Sequence, residues 1–263
     1  MKYKHNNYTT RLQKCGALLA DMRLLVRHWS DKLNYDKQIH DFIIENILGK
    51  KTRSRTIDIL QRAFFQRFIK GNPPESWKIL RPLEDRDVSI DIVSPIYFWI
   101  TSRSENLIYD FVTEFLYHRI KSPDFLIRTD ETIQWLRKQL ADRGQIWSEA
   151  VTLRVARGLL AALRDFGILQ GKLIKKITPI YLPCESFAYL AFALFSLRNT
   201  GKRLVIHPDW RLFFLSSSGV EHLFLEAHQN GFLRYAAAGE IHCIEFPTQS
   251  FEGMADVILG RRV

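Results

Sequence analysis

Cysteine is scarce in this chain, and its few cysteines cannot cooperate. Cys15, Cys184 and Cys243 are far apart and form no CxxC pair. That spacing excludes a disulfide framework and a zinc ribbon, and it suits a reducing, cytoplasmic setting. Long hydrophobic runs are also missing. The longest, Phe187 to Leu197, is too short to span a bilayer and reads as a buried helix. The N-terminal stretch MKYKHNNYTTRLQK contains no apolar core of a secretory signal, so no membrane partner is expected. Acidic charge is the third shortage. Against 38 Lys and Arg there are 28 Asp and Glu, a formal net charge of +10, which favours a polyanionic partner. Core material, by contrast, is plentiful. With 46% hydrophobic residues and 18 Phe, a chain of 263 residues can build packed cores and is too apolar for disorder.

Sequence signatures of catalysis fail one by one. Gly167 to Lys172, GILQGK, resembles a phosphate-binding loop but is one residue short between its glycines, and Leu173 stands where a magnesium-holding Ser or Thr belongs. His222 and His228 are six apart, a spacing that points them in different directions on a helix, and a metal site joining them to His242 and Cys243 is disfavoured. Pro123-Asp124 and Pro208-Asp209 lack the acidic-x-Lys partner of a nuclease motif, and Ser216 to Ser218 lacks a nucleophile-elbow frame. A non-enzymatic protein with no cofactor and no metal is expected.

The most informative stretch is Trp147 to Leu182. Ser148 is a natural N-cap, and Gly167 is the first break after it. At about 100° per residue, Val151, Val155, Leu159, Leu163 and Phe166 share one face of the intervening helix. Arg154, Arg157 and Arg164 share a separate arc, with Thr152 beside the first two. Two β-prone runs follow, Ile168-Leu169 and Ile177 to Leu182, with Lys172, Lys175 and Lys176 between them. An arginine-striped helix followed by a lysine-tipped hairpin is the pattern of a winged helix-turn-helix. From Arg137 to Lys176 the chain has nine basic and three acidic residues, a net +6 that includes Arg143. Leu107 to Ile120, ended by Ser122-Pro123-Asp124, and Thr129 to Leu140 are the two helices expected before it. In this reading Arg154 and Arg157 enter the groove, while Arg143, Lys172, Lys175 and Lys176 contact phosphate. Arg164 lies too late in the helix to read bases and meets phosphate or solvent.

A second basic focus lies earlier. Helices are expected over residues 8 to 29 and Tyr35 to Gly49, and a third begins near Thr52 or Ser54 with Ile57, Leu60, Phe64 and Phe68 inside. From Lys50 to Lys70 there are seven basic residues and one acidic, again +6, densest at Lys50, Lys51, Arg53 and Arg55. Positive charge at a helix start opposes the helix dipole, so an external anion could offset it, and Lys50, Lys51, Arg53 and Arg55 are expected as a second contact to the DNA backbone. Gly71-Asn72-Pro73-Pro74 then breaks the chain, and a linker is expected from 71 to 91. Beyond Pro183 the sequence predicts a buried helix at Glu185 to Arg198, short helices at Asp209 to Leu215 and Val220 to Gln229, a hairpin around Gly239 and a closing helix at Ser250 to Leu259. Six acidic residues and one arginine between Glu221 and Asp256 give this end a net charge of −5.

The expected fold is mainly α with small β-hairpins. It comprises an N-terminal helical bundle (1–70), the linker (71–91), a central winged helix-turn-helix (92–183) and a C-terminal α+β region (184–263). Glu45-Asn46-Ile47-Leu48, then Thr52-Arg53-Ser54-Arg55, then Gln61-Arg62-Ala63-Phe64 resembles the N-terminal block of the BrxA proteins. These are components of BREX, a bacterial bacteriophage-exclusion system. The resemblance continues through Leu160 to Leu169 and into the final hairpin and helix. It implies an antiviral accessory protein that binds double-stranded DNA beside other BREX components. The likeness of the family's N-terminal helices to an RNA-binding antitermination factor implies RNA as an alternative ligand. A third reading, an adaptor whose acidic end docks a basic protein, follows from the divided charge.

Overall fold

The computed structural model describes residues 7–120, 122, 125–178 and 181–261. The chain opens with a 3₁₀ turn at Arg11–Gln13, α1 (Leu19–His28), α2 (Tyr35–Ile44) and α3 (Arg53–Ile57), which continues in wider π winding over Asp58–Ile69. Next come α4 (Trp77–Glu84) and α5 (Ile90–Ser104). One helical run then combines α6 (Asn106–Asp110), a π stretch at Phe111–Leu116 and α7 (Tyr117–Arg119). The central region holds β1 (Leu126–Ile127), α8 (Thr129–Asp142), α9 (Glu149–Asp165), β2 (Leu169–Gln170) and β3 (Lys175–Ile177). The last region holds α10 (Cys184–Ser196), α11 (Lys202–Val205), a 3₁₀ stretch at Pro208–Phe213, α12 (Ser217–Gln229), β4 (Arg234–Ala238), β5 (Ile241–Glu245) and α13 (Phe251–Ile258). The fold is mainly helical with small antiparallel strand pairs, as the sequence predicts.

The chain divides into two units, Met1–Trp77 with Ile100–Thr178, and Lys78–Trp99 with Pro179–Val263. The stretch 71–91, expected as a linker, therefore holds α4 and the first residues of α5. Its acidic composition hides an apolar side: Trp77, Ile79, Leu80 and Leu83 are all buried. The buried hydroxyl of Tyr189 donates to the Ile79 carbonyl at 2.7 Å, fixing α4 beside α10 in the second unit.

The first unit is organised around one buried cation. Arg67 is 0% exposed, and its guanidinium donates to Glu105 Oε1 at 2.9 Å and to the Gly16 and Cys15 carbonyls at 2.7 and 2.6 Å. Arg11 reaches the same carboxylate at 3.2 Å. A buried charge is tolerated only with such full pairing. These contacts bring the N-terminal segment against the π stretch and the start of α6. The same segment crosses α9 at Gly158, where a Cβ would stand 2.0 Å from the Leu12 carbonyl oxygen. Glycine is required there by close backbone approach, and one flank of α9 is covered as a result.

In the second unit, α10 is the core helix, apolar nearly all round as its sequence predicts. Phe187 packs against Trp210 and Phe224, and Phe192 against Phe246 and Phe251. Arg86 clamps Asp256 with two bonds of 2.7 Å, and that pairing holds the Asp256 carboxyl below its ordinary pKa. The β4–β5 hairpin pairs Tyr235 with Ile244, both inward, around Gly239.

Candidate nucleic-acid interface

Helix α9 begins as expected. The Ser148 side chain accepts from the Val151 amide at 3.3 Å, and Glu149 sits favourably in the first turn. Val155, Leu159, Leu163 and Phe166 are buried, together with Ala156, Leu160 and Ala162. Arg154, Arg157 and Arg164 are exposed on one side of the helix, separated there only by small residues, Ala150 and Ala161. Such a face can approach a surface closely. Arg154 Nε bonds the Ala150 carbonyl at 3.1 Å, and Arg164 pairs with Asp165 at 3.1 Å, both in solvent-exposed positions. Thr152 is not on this face. It is buried, and its hydroxyl donates to the Ser148 carbonyl at 2.9 Å, a bond that a helical threonine makes readily.

The β2–β3 hairpin follows α9 directly, in the register Leu169↔Ile177 and Gln170↔Lys176. Gly167, with a φ of +81°, turns the chain out of the helix. Strand β1 joins the outer side of β3, opposing Leu126 to Lys176 and Ile127 to Lys175. This strand adds to the expected hairpin, and its signal is weak: Phe125-Leu126-Ile127 is a short apolar run of suitable composition. Positions 179 and 180 of the expected second limb lie outside the described residues, as do Pro123 and Asp124 of the expected helix stop.

Two of the cations assigned to phosphate take another role. Lys175 alternates with the outward Lys176 and therefore points in. It is 7% exposed, and its Nζ donates to the Lys172 carbonyl at 2.8 Å. Burial first, then the charge of Arg164, holds its pKa below the ordinary lysine value. Arg143 has a side chain only 3% exposed. It donates to Asp110 at 2.7 Å and to Gln139 at 2.7 and 3.0 Å, with its guanidinium 4.1 Å from the centre of the Tyr8 ring. It staples α8 to α6 and the N-terminal segment. Lys172 and Lys176 do stand in solvent, the latter with its Nζ 5.0 Å from the Phe125 ring centre. Arg164 and Lys172 line an open cleft of about 630 Å³ together with Gly167, Leu169, Gln170 and Gly171.

The N-terminal basic block is engaged mostly within the protein. Lys50 pairs with Asp21 at 2.7 Å, and Arg55 donates to the Lys14 carbonyl at 2.6 Å. Asp58 receives Lys14 at 3.1 Å and Arg62 at 2.9 Å. Thr52 is the cap, accepting from the Arg55 amide at 3.2 Å, and only Lys51 and Arg53 of the four expected contacts are exposed without a bond of these kinds. Among the described residues no group of three or more His, Cys, Asp or Glu could hold a metal ion, and no helix is long and apolar enough to cross a membrane. His242 instead meets the Tyr235 hydroxyl at 3.0 Å.

A family model described as BrxA matches residues 6–193. The terminal hairpin and helix, which the sequence resemblance includes, lie beyond that match. A solved structure, the crystal structure of an uncharacterized protein from Magnetospirillum magneticum, is similar in fold at a TM-score of 0.61 and 14% identity. The match covers 79% of this chain and 98% of that one. No curated protein matches the chain.

Proposed function

The chain belongs to the BrxA family and is a BREX-associated protein, and from that premise we propose that it binds double-stranded DNA without catalysing a reaction. The observation that carries this reading is the exposure of Arg154, Arg157 and Arg164 along one side of α9 and of Lys172 and Lys176 on the hairpin that follows, with Arg164 and Lys172 lining one cleft. The order helix, strand, helix, helix, hairpin supports a winged helix-turn-helix, in which α9 enters the major groove and the hairpin follows the phosphates. A backbone phosphate fits the cleft between Arg164 and Lys172. Sequence preference is weak in this reading. The exposed side of α9 carries no Asn or Gln to pair with adenine, and Thr152 is turned away from it.

Competition tests the proposal. A labelled random duplex is bound at low salt, then challenged with unlabelled duplex, structured RNA and heparin. Duplex DNA should displace the probe better than structured RNA of equal length. Stronger displacement by RNA would favour the antitermination-factor-like alternative. Absence of duplex binding at low salt would reject both the DNA ligand and the groove-binding role of α9, leaving the adaptor reading.

A further inference from the structure

The apex of the β2–β3 hairpin is not merely basic. Leu173 is 88% exposed and Ile174 is 50% exposed, a pair of large aliphatic side chains at the end of a projecting turn. Exposed single hydrophobics are ordinary, but this pair is held in place. Gly171 has a φ of +111°, and a Cβ there would stand 2.4 Å from the Ile174 carbonyl oxygen, so the turn closes only around glycine. Across the same turn Lys175 folds inward and ties its amine to the Lys172 carbonyl at 2.8 Å. The cation that could have softened the apex is thus used to brace it. On either side Lys172 and Lys176 point to solvent, and Arg164 stands across the adjoining cleft.

A braced aliphatic tip flanked by cations is the architecture of a wedge that enters a stack of bases while its neighbours hold phosphate. We propose that Leu173 and Ile174 insert into the minor groove of the bound duplex, unstack a single base step and bend the DNA. The inference rests on the duplex-binding reading above and adds a deformation to it. Charge complementarity selects the occupant: lysines adjoin the tip on both sides, and the arginine face of α9 lies in the same unit. The scale also fits. Burying two branched side chains releases free energy of the order that unstacking one base step consumes. The tip therefore changes the shape of the DNA more than its affinity. Pyrimidine–purine steps, which unstack most easily, would be the preferred points of entry.

The test uses the full chain and a duplex of about three helical turns, labelled at its ends for energy transfer, with 2-aminopurine beside a central TA step in a second preparation. Binding should shorten the end-to-end distance by a bend in the roughly 20–90° range of wedge-inserting proteins, and the 2-aminopurine emission should rise. L173S/I174S, altered only at exposed positions, should keep its unfolding midpoint and bind within about tenfold of the wild type, since the wedge gain and the unstacking cost nearly cancel. It should lose both the bend and the emission change. Wild-type binding without a bend, or a bend that survives in L173S/I174S, would overturn the wedge while leaving the DNA-binding reading intact. No duplex binding at all would remove both. Vesicles of anionic lipid form the control arm: if the double variant loses vesicle binding and keeps the DNA bend, the tip serves a membrane surface and the wedge is refuted.

Discussion

Two stretches of this chain carry the same net charge of +6 and put it to opposite uses. Between Lys50 and Lys70 most cations are engaged within the protein: Lys50 with Asp21, Arg55 with a backbone carbonyl, the exposed Arg62 with Asp58 and Arg67 with Glu105 in the core, while Lys51 and Arg53 stay in solvent. Between Arg137 and Lys176, Arg143 and Lys175 are internal, but Arg154, Arg157, Arg164, Lys172 and Lys176 face solvent. Charge density along a sequence thus measures supply. What remains for a ligand depends on which carboxylates and carbonyls the fold brings alongside, and Asp21, Asp58 and Glu105 all meet cations that are distant in sequence.

Cations engaged within the protein should therefore govern stability, and those left in solvent should govern binding. The largest effect belongs to the buried pair. Glu105→Ala leaves the Arg67 guanidinium buried without its carboxylate and should cost about 3–5 kcal/mol in urea unfolding, whereas R67M/E105M should recover much of that. A cost below about 1 kcal/mol would show that Arg67 finds solvent or another partner. Next is charge reversal on the outward set. R154E/R157E should weaken duplex binding about a hundredfold or more at low salt with an unchanged unfolding midpoint, and K51E/R53E should change it less than about threefold. The opposite ranking, read by anisotropy titration, would transfer the interface to the N-terminal helices.

Much of the fold is legible in the sequence because periodicity reports burial directly. The inner face of α9, the all-round apolar α10 and the Ser148 cap all follow from the local sequence. The misreadings share a cause. Arg143 and Lys175 look like surface cations until Asp110 on a separate helix claims the first and the Lys172 carbonyl across the same turn claims the second. For Lys175 a local signal exists. In a strand Lys175 and Lys176 must point to opposite faces, so both cannot contact one backbone. Helix α2 stops at Ile44, earlier than its apolar spacing suggests, because Asn46 takes a positive φ of 46° and bonds Lys50 through its side chain. The helical character of 77–84 is hidden because the breaker Gly71-Asn72-Pro73-Pro74 before it and Pro82 within it obscure a buried Trp77, Leu80 and Leu83.

A smaller effect concerns which duplex is bound. With two arginines as the available base readers, selection from randomised duplexes should enrich sites by well under the roughly 10³-fold ratio of a sequence-specific reader, with any bias falling on easily unstacked steps. Recovery of a long motif bound about a thousandfold over random DNA would show that α9 reads more than its exposed side chains allow.

The most direct measurement is the salt dependence of duplex affinity. If Arg164, Lys172 and Lys176 each neutralise one phosphate, log K against log salt should fall with a slope of about −3, at roughly 0.9 per phosphate. K172A/K176A should reduce that slope to about −1. A salt-insensitive complex, or a slope unchanged by the double variant, would contradict the assignment of the outward cations to DNA.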